Sequence, residues 1–244
     1  MKFWIITPTY NRYELLKRCI KSILKQSYAT FEMIVIDDST NNKTFYSLSK
    51  DFQDDRIKYI KNIKNSWVNF SRNKWLDSLS KDVDYVIFLD DDDFFDIKTL
   101  EIALQHINNN KDYDWFISNK KTISKIKRYN QEYDYVDDYL FWDKIQWDVT
   151  HCISKEAIGN ARFSKYIKQA QEWLFFSEIS HRNKIYTYDF DSTVSEYLDG
   201  WLSDNSKLNV ITGQIKWIIE FFLIRKILIK YKIYFLRKLL WKFF

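Results

Sequence analysis

The sequence predicts an α/β domain in which helices cover both faces of a mainly parallel sheet, followed by an amphipathic helical tail. Short apolar runs rich in Ile, Val, Phe and Tyr alternate with segments of helical periodicity. This alternation is typical of parallel sheets, because each parallel connection needs a crossover that is usually helical. Polar clusters follow several of the apolar runs, and basic residues crowd together with large apolar ones near the C-terminus.

The predicted strands are short apolar runs bounded by polar residues. They cover residues 3–7, 31–37, 56–61, 85–90 and 114–118, and the later residues 148–154 and 184–189. A parallel sheet binds ligands beyond the C-terminal ends of its strands. The polar clusters TPTYNR, DDST and DDDD follow the first, second and fourth strands. The sequence therefore predicts a ligand site at that edge.

The predicted helices lie between these strands. In the first helix, one buried face is indicated by apolar residues at the i, i+3, i+4 spacing: Leu15, Leu16, Cys19, Ile20, Ile23 and Leu24. The helices cover residues 13–26, 44–52, 68–80, 97–109 and 169–180. Segments 121–129 and 132–142 read as irregular or hairpin structure. We predict one domain over residues 1–206 and a tail over residues 207–244.

Composition favours a reduced, cytoplasmic protein that needs no disulfide scaffold. The chain of 244 residues is long enough to bury a sizeable core. Its two cysteines, Cys19 and Cys152, lie far apart and outside any CxxC or CxxH spacing, which gives no support to a zinc or redox site. Only four apolar residues separate Lys2 from Thr7, too few for the apolar region of a signal peptide.

The tail carries the excess positive charge. Of the overall net charge of +5, residues 215–244 hold +7, which leaves −2 for the rest of the chain. The tail has no apolar run as long as a membrane-spanning helix requires. A basic face opposite a face of Trp, Phe and Leu is typical of a helix lying on anionic lipid, so we expect peripheral binding to the inner face of the cell membrane.

Other partners for the tail give two further interpretations. It can form a helical hairpin that packs on the domain, or it can pack on a second subunit and so form an oligomer. Nucleic acid is a poorer partner, because the dense apolar residues would stay exposed on it and the acidic body would repel phosphates.

The four aspartates of LDDDD are the first candidate chemical site. Adjacent carboxylates repel one another unless a cation neutralises them, and hard oxygen ligands suit Mn²⁺ or Mg²⁺. Because side chains alternate along extended chain, Asp90 and Asp92 can face one metal while Asp91 turns aside. The alternative is a solvated acidic loop that caps the following helix.

Two weaker patterns accompany the aspartates. In VIDDST, Asp37 and Asp38 end a strand, where a carboxylate can accept from a ribose hydroxyl or a base N–H; the same residues also suit an ordinary turn and helix cap. In SRNKWLD, Arg72 and Asn73 lie near a helix start, and alone they read as surface residues of an amphipathic helix.

Taken together, the motifs TPTYNR, VIDDST, SRN and LDDDD resemble, in order and spacing, the inverting family 2 nucleotide-sugar glycosyltransferases. The resemblance covers roughly residues 3–205. It implies the GT-A fold, a Rossmann-like nucleotide-diphospho-sugar transferase domain with a mixed, mainly parallel sheet flanked by helices. It also implies a nucleotide-diphosphate sugar as donor.

The resemblance implies a role for each matching residue. Asp38 would bind the base and ribose, with Asp37 beside it, and Arg72 and Asn73 would lie by the donor. The nucleotide pocket would be shaped by Thr7, Pro8, Tyr10 and Arg12. The metal holding the diphosphate would be bound by Asp90 and Asp92, with Asp91 and Asp93 next to them.

The base that deprotonates the acceptor hydroxyl is less closely matched. The family usually has a Glu-Asp pair near the start of a late helix, and this sequence has Gln171 and Glu172 there. Glu172 is therefore the predicted base, and an ordinary helix glutamate is the alternative. Glycines common around the family's A-R-N motif are absent: Asn65 and Ser66 precede it and Trp75 follows. This departure bears on donor preference.

Three further residues are candidate contacts for an acceptor or a phosphate. Asp93 lies beside the predicted metal ligands. His151 precedes a predicted strand end, although a buried core histidine is the favoured interpretation. Trp201 lies in DGWLSDN, which resembles the family's late G-x-x-S loop.

We therefore expect an inverting transferase that moves a sugar, from a UDP-sugar, to a hydroxyl of a lipid-linked, lipopolysaccharide or capsule-type glycan. The lipid-linked acceptor is inferred from the tail. Two alternatives are a membrane-adsorbed nucleotide-binding protein on an inactive transferase fold and a Mg²⁺-dependent phosphoryl-transfer enzyme. The latter fits less well, because the sequence lacks its usual nucleophile pattern and a Gly-rich phosphate loop.

Overall fold

A computed structural model describes residues 1–40, 43–62, 67–79, 82–121, 125–126, 128–141, 144–146, 148–165 and 172–195. The predicted tail over residues 207–244, the boundary at residue 206 and the DGWLSDN segment lie outside these residues. Within the described ranges, no helix has the length and apolar character needed to cross a bilayer.

The first half of the chain alternates strand and helix as predicted. Its elements are β1 (Phe3–Thr9), α1 (Tyr13–Leu24), β2 (Phe31–Asp37), α2 (Lys43–Asp51), β3 (Ile57–Lys61), α3 (Val68–Leu76) and β4 (Tyr85–Phe88). The four strands pair in parallel in the order β3-β2-β1-β4. Pairing of β1 with β4 ends at Ile6, and β1 continues beside β2 to Thr9.

The second half has shorter strands and mixed directions. Its elements are β5 (Asp93–Phe95), α4 (Thr99–Asn109), β6 (Trp115–Lys121), β7 (Lys125–Ile126), β8 (Gln131–Tyr133), a π-helix (Tyr135–Phe141), β9 (Ile145–Gln146), β10 (Val149–Ser154), α5 (Lys155–Ile158), α6 (Glu172–Ile179) and β11 (Ile185–Ser195). The main sheet continues from β4 as β10-β6-β11-β5, with β8 beside β11, and β7 pairs with β9 separately.

Strand β10 gives the sheet its mixed character. It lies antiparallel between β4 and β6, so β6 again runs parallel to β4. Strand β11 is parallel to β6, and β5 is antiparallel to β11. The fold-class prediction of a mixed sheet flanked by helices is confirmed. The predicted extents were wrong in places: β5 and the π-helix were not foreseen, and β4 ends before Asp90.

The core lies in two layers, one on each face of the sheet. Alternate residues of β1 face opposite sides, with Phe3 and Ile5 in one layer and Trp4 and Ile6 in the other. The first layer includes buried residues of α1, α2 and α4, and the second includes those of α3, α5 and α6. Both cysteines are buried and free, as the composition predicted.

Candidate active site

The polar motifs meet at one edge of the sheet. Strands β1, β2, β4, β6 and β11 all point their C-terminal ends to this edge, whereas β5 and β10 begin there. The backbone links neighbouring motifs directly, since the N–H of Asp38 donates to the carbonyl of Thr9 at 2.9 Å. The predicted position of the site relative to the sheet therefore agrees with the structure.

The four aspartates form the centre of this edge. Asp90 and Asp92 lie in the turn after β4, and Asp93 is already the first residue of β5. One carboxylate oxygen from each of Asp90, Asp92 and Asp93 lies within 4.8 Å of the others. Such a cluster of hard oxygen donors suits Mn²⁺ or Mg²⁺.

The loop after β1 holds two of the aspartates. The hydroxyl of Thr9 donates to Asp91 at 2.6 Å, and Arg12 Nη1 lies 3.1 Å from Asp91 and 2.9 Å from Asp92. Arg18 donates to the backbone carbonyl of Asp92 at 2.7 Å. Burial raises the pKa of the Asp91 carboxyl to about 7, although Thr9 and Arg12 act to lower it. Side chains of the chain itself thus offset much of the repulsion.

The fourth aspartate, Asp93, is held by residues at the ends of β6 and β11. Lys120 Nζ, at the end of β6, lies 2.8 Å from Asp93 Oδ2 and 2.6 Å from Asp148 Oδ2. The hydroxyl of Ser195, at the end of β11, donates to Asp93 Oδ1. Burial raises the pKa of Asp93 to about 6 despite the nearby Lys120. Asp93 is consequently tied into the protein at both oxygens.

Arg72 connects the aspartates to the predicted base. Arg72 is 4% exposed, and its guanidinium donates to Asp90 Oδ1 and to Glu172 Oε1, each at 2.9 Å. Its flat face lies over the rings of Phe88 and Phe163. Because Glu172 is the first residue of α6 and Asp90 follows β4, one buried arginine fixes two distant segments against each other.

The predicted nucleotide side is a buried polar network around Asp38. Asn62 donates to Asp38 Oδ1 at 2.5 Å, and the hydroxyl of Ser71 donates to Asp38 Oδ2 at 3.0 Å. Neighbouring Asp37 is fully buried, accepts from the Ser39 N–H at 2.7 Å and lies 3.4 Å from Lys61 Nζ. A carboxylate oxygen can accept more than one hydrogen bond, so Asp38 keeps capacity for a ligand.

The other residues predicted to contact a ligand differ in their surroundings. Thr7 and Pro8 are buried strand residues, because β1 extends to Thr9, and Thr9 reaches the aspartates instead. Asn73 uses both ends of its carboxamide on the backbone of Phe163, at 2.8 and 2.7 Å. Asn73 therefore fixes the chain before α6 rather than facing a donor. Tyr10, 43% exposed, and Arg12 do remain at the site edge.

Asp91 and Asp93, also predicted as ligand contacts, are buried. They are 5% and 4% exposed, and their oxygens accept from Thr9, Arg12, Lys120 and Ser195. The physical reason is the turn after β4, which sends every second carboxylate inward. Asp90 and Asp92, whose side chains are 48% and 13% exposed, are the outward-facing pair.

The structure contradicts the predicted ligand contact of His151 and supports its interpretation as a core residue. Its ring is 8% exposed, stacks on Phe176 with centroids 4.0 Å apart, and accepts from the indole N–H of Trp115 at 3.0 Å. Burial, together with the nearby charge of Lys120, lowers the pKa of His151 to about 3. The ring is therefore neutral at physiological pH. Trp201 and Gln171 lie outside the described residues.

Lys120, Asp148, Ser195, Asn62 and Ser71 were not predicted as site residues. Lys120 had a detectable signal, because it ends a buried apolar run just as the aspartates do. Ser195 and Asp148 gave no such signal, since their place depends on which strands become neighbours. Side-chain pairing across about a hundred residues, as between Asp93 and Ser195, is not visible in local sequence.

Fold and site together define an α/β domain with an acidic cluster that could hold a metal ion beside a buried polar network. The model of the glycosyl transferase family 2 matches residues 4–167. The chain therefore belongs to glycosyl transferase family 2, and the predicted family is confirmed.

Relatives by sequence are named as glycosyltransferases. An uncharacterized glycosyltransferase of Methanocaldococcus jannaschii is 26% identical, covering 70% of this chain and 62% of the relative. The GalNAc(5)-diNAcBac-PP-undecaprenol beta-1,3-glucosyltransferase of Campylobacter jejuni is 40% identical over 44% of this chain and 35% of its own length. The UDP-Glc:alpha-D-GlcNAc-diphosphoundecaprenol beta-1,3-glucosyltransferase WfgD of Escherichia coli is 33% identical over 43% of this chain and 41% of its own length. The chain thus spans about a third to three fifths of these relatives.

Solved structures share the fold at low identity. Staphylococcus aureus TarS 1-349 in complex with UDP-GlcNAc superposes with a TM-score of 0.72 at 19% identity, over 90% of this chain and 66% of TarS 1-349. The mannosyltransferase PcManGT of Pyrobaculum calidifontis, in complex with GDP-Man and Mn²⁺, gives a TM-score of 0.60 at 16% identity, over 89% of this chain and 60% of the other.

Proposed function

We propose that this chain is an inverting glycosyltransferase that moves a sugar from a UDP-sugar to a hydroxyl of a lipid-linked glycan. One observation carries the proposal: Arg72 contacts both Asp90 and Glu172. The residues proposed for the donor diphosphate and for the acceptor hydroxyl thus lie on two sides of one guanidinium. Direct displacement needs the base and the leaving group on opposite faces of the sugar, and a base at Glu172 with a diphosphate at Asp90 supports such a mechanism.

The donor end of the proposal rests on Asp38, Asp90 and Asp92. Asp38 would bind the ribose or base, and Asp90 and Asp92 would hold Mn²⁺ or Mg²⁺, with Asp93 held in place by Lys120. A divalent ion bound there would offset the negative charge of the leaving diphosphate. The names of WfgD and of the TarS complex include UDP-Glc and UDP-GlcNAc, which supports a uridine donor.

The acceptor end rests on Glu172. As base, its carboxylate would take the proton of the acceptor hydroxyl while Arg72 fixes its position. Glu172 is 38% exposed in its side chain, so the carboxylate can meet an incoming hydroxyl. Two relatives are named for undecaprenol-linked substrates, which supports a lipid-linked acceptor here. The proposed membrane-binding tail would bring the chain to the inner face of the cell membrane, where such an acceptor is found.

Donor turnover tests the proposal. Purified chain with Mn²⁺ or Mg²⁺ is expected to bind UDP-glucose or UDP-GlcNAc, hydrolyse it slowly, and transfer the sugar to a GlcNAc-diphospholipid. Asp92→Ala should lose metal-dependent binding, whereas Glu172→Ala should keep binding and lose transfer. Glu178→Ala on the same helix is the matched control. Full transfer by Glu172→Ala would remove the proposed base, and absence of nucleotide-sugar binding by the unaltered chain would exclude the transferase.

Two more measurements address the alternatives. Release of inorganic phosphate without sugar transfer would favour a phosphoryl-transfer enzyme, and UDP binding without any turnover would favour an inactive binding protein. The membrane claim is tested by sedimentation with anionic and with neutral vesicles. We expect the full chain to sediment with anionic vesicles and a chain ending at residue 206 to remain in solution; equal sedimentation of both chains would contradict a role for the tail.

A further inference from the structure

Trp67, the residue before α3, has a backbone conformation that tryptophan rarely adopts. Its φ is 67° and its ψ is 155°, a combination found almost only at glycine. Asn11 and Asn130 also have positive φ, but asparagine tolerates it and a bulky ring does not. The folded chain thus has a tryptophan with a strained backbone at a position where glycine would not be strained. Strain of this kind clusters at binding sites.

Trp67 lies beside the polar network proposed for the nucleotide. Its carbonyl accepts from the Ser71 N–H at 3.1 Å, and the Ser71 hydroxyl donates to Asp38 at 3.0 Å. On the other side, the Asp38 N–H donates to the carbonyl of Thr9, and Tyr10 follows Thr9. Trp67 is therefore connected to Asp38 through Ser71, and Tyr10 is connected to it through Thr9. Trp67 is 39% exposed and Tyr10 is 43% exposed.

We propose that Trp67 is a nucleobase-binding residue, whose indole stacks on the base of the donor held at Asp38. The inference rests on the proposed function and adds to it a residue that acts on the base alone. Aromatic rings bind the flat face of any base, and one such contact strengthens binding by about tenfold or more. A strained backbone is retained because the ring at this position contributes to binding.

The stability of two substitutions tests the strain. Trp67→Ala and Trp67→Gly both remove the indole, and they differ only in how easily the backbone reaches positive φ. We expect the Gly variant to melt a few degrees above the Ala variant. An equal or lower melting temperature of the Gly variant would overturn the strain argument and with it the proposal.

Binding of two small probes tests the ring. UDP carries the base, and ribose 5-diphosphate lacks it. With Mn²⁺ present, we expect Trp67→Gly and Trp67→Ala to bind UDP about tenfold more weakly than the unaltered chain, with ribose 5-diphosphate binding unchanged. Trp67→Phe should keep most of the UDP affinity. Phe70→Ala is the control, because Phe70 is 58% exposed one helical turn away and should leave both affinities unchanged.

The outcomes separate this inference from the proposed function. If the unaltered chain binds UDP and Trp67→Gly binds it equally well, the stacking role fails while the transferase proposal stands. If the variant loses both probes equally, Trp67 shapes the pocket as a whole and does not contact the base, which also overturns the inference. If the unaltered chain binds no nucleoside diphosphate, both proposals fail together.

Discussion

The N-terminal half of the sheet, β1 to β4, positions its site residues differently from the C-terminal half, β5 to β11. In the first half, neighbouring strands are parallel, and their ends carry Thr9 and Asp37 to the site directly. In the second half, parallel and antiparallel pairs are mixed, and the site depends on two long-range ion pairs, Lys120 with Asp93 and Arg72 with Glu172. Backbone pairing therefore builds the proposed donor side, whereas buried charges join the other side to it.

Removing the link between the halves should have the largest effect. Arg72→Met deprives Asp90 and Glu172 of their common partner, so the proposed base loses its position. We expect sugar transfer to fall about a thousandfold, equivalent to about 4 kcal/mol in activation free energy, with donor binding affected less. Single-turnover and binding measurements check this.

Arg56→Met is the control for that experiment. Arg56 pairs with Asp54 at the start of β3, away from the site edge, and its loss should leave transfer unchanged. Transfer by Arg72→Met within tenfold of the unaltered chain would show that the two halves do not depend on this arginine.

A charge buried within the second half should affect stability next. Lys120→Met removes the cation that lies 2.8 Å from the buried carboxylate of Asp93, and we expect the free energy of unfolding to fall by about 3 kcal/mol. Urea denaturation measures the loss. Lys184→Met is the matched control, since its ion pair with Asp134 is half exposed and should contribute less than about 1 kcal/mol. Equal losses in both variants would contradict a special role for the buried cation.

The core histidine of β10 should make stability depend on pH. His151 has a pKa lowered to about 3 in the folded chain, against about 6.5 unfolded, so only the unfolded chain gains a proton between these values. The contribution of His151 to the free energy of unfolding is complete above about pH 6.5 and decreases as the pH falls, by about 2 kcal/mol at pH 5.

A substitution isolates that histidine. His151→Gln should reduce the decrease in unfolding free energy between pH 7 and pH 5 by most of those ~2 kcal/mol. His181→Gln, at an exposed residue, should leave the decrease as it is. An unchanged slope in His151→Gln would place the pH dependence elsewhere.

The smallest effect is expected at the outer edge of the first half. Lys58→Met removes an ion pair with Glu32 on β2, where Lys58 is 51% exposed. Lys2 also pairs with Glu32, so the carboxylate keeps a partner. We expect a loss below about 1 kcal/mol in urea denaturation. A loss as large as that of Lys120→Met would mean that surface pairs, and not only backbone pairing, hold the first half together.

The elements of the first half were predicted from local sequence patterns more fully than those of the second half. In the first half, helix periodicity and apolar runs are local signals, and they predicted β1 to β4, α1 and the site edge. Asp90 and Asp92, predicted to face one metal while Asp91 turns aside, lie in a turn and not in extended chain, and their side chains are the more exposed of the four aspartates. Their role as metal ligands stays a prediction.

The rest depended on tertiary neighbours that local patterns do not encode. A three-residue strand such as β5 is too short for periodicity, so Asp93 read as loop although Ser195 pairs it into the sheet. Asn73 matched a motif, yet its side-chain amide donates to the carbonyl and accepts from the N–H of Phe163, ninety residues away. The strained backbone of Trp67 was not predicted, because it becomes visible only when the start of α3 is known.

The reversed direction of β10 has one more consequence. Because β10 begins where β6 ends, with Val149 paired to Asn119, the chain leaves the site edge after Lys121 and comes back to it at Asp148. Between these two points lie β8, which pairs with β11 in the main sheet, and the buried side chains of Tyr133 and Tyr135, so the returning segment also builds part of the core. Because Ser195 ends β11 and donates to Asp93, a change in this segment can reach the aspartates through β11.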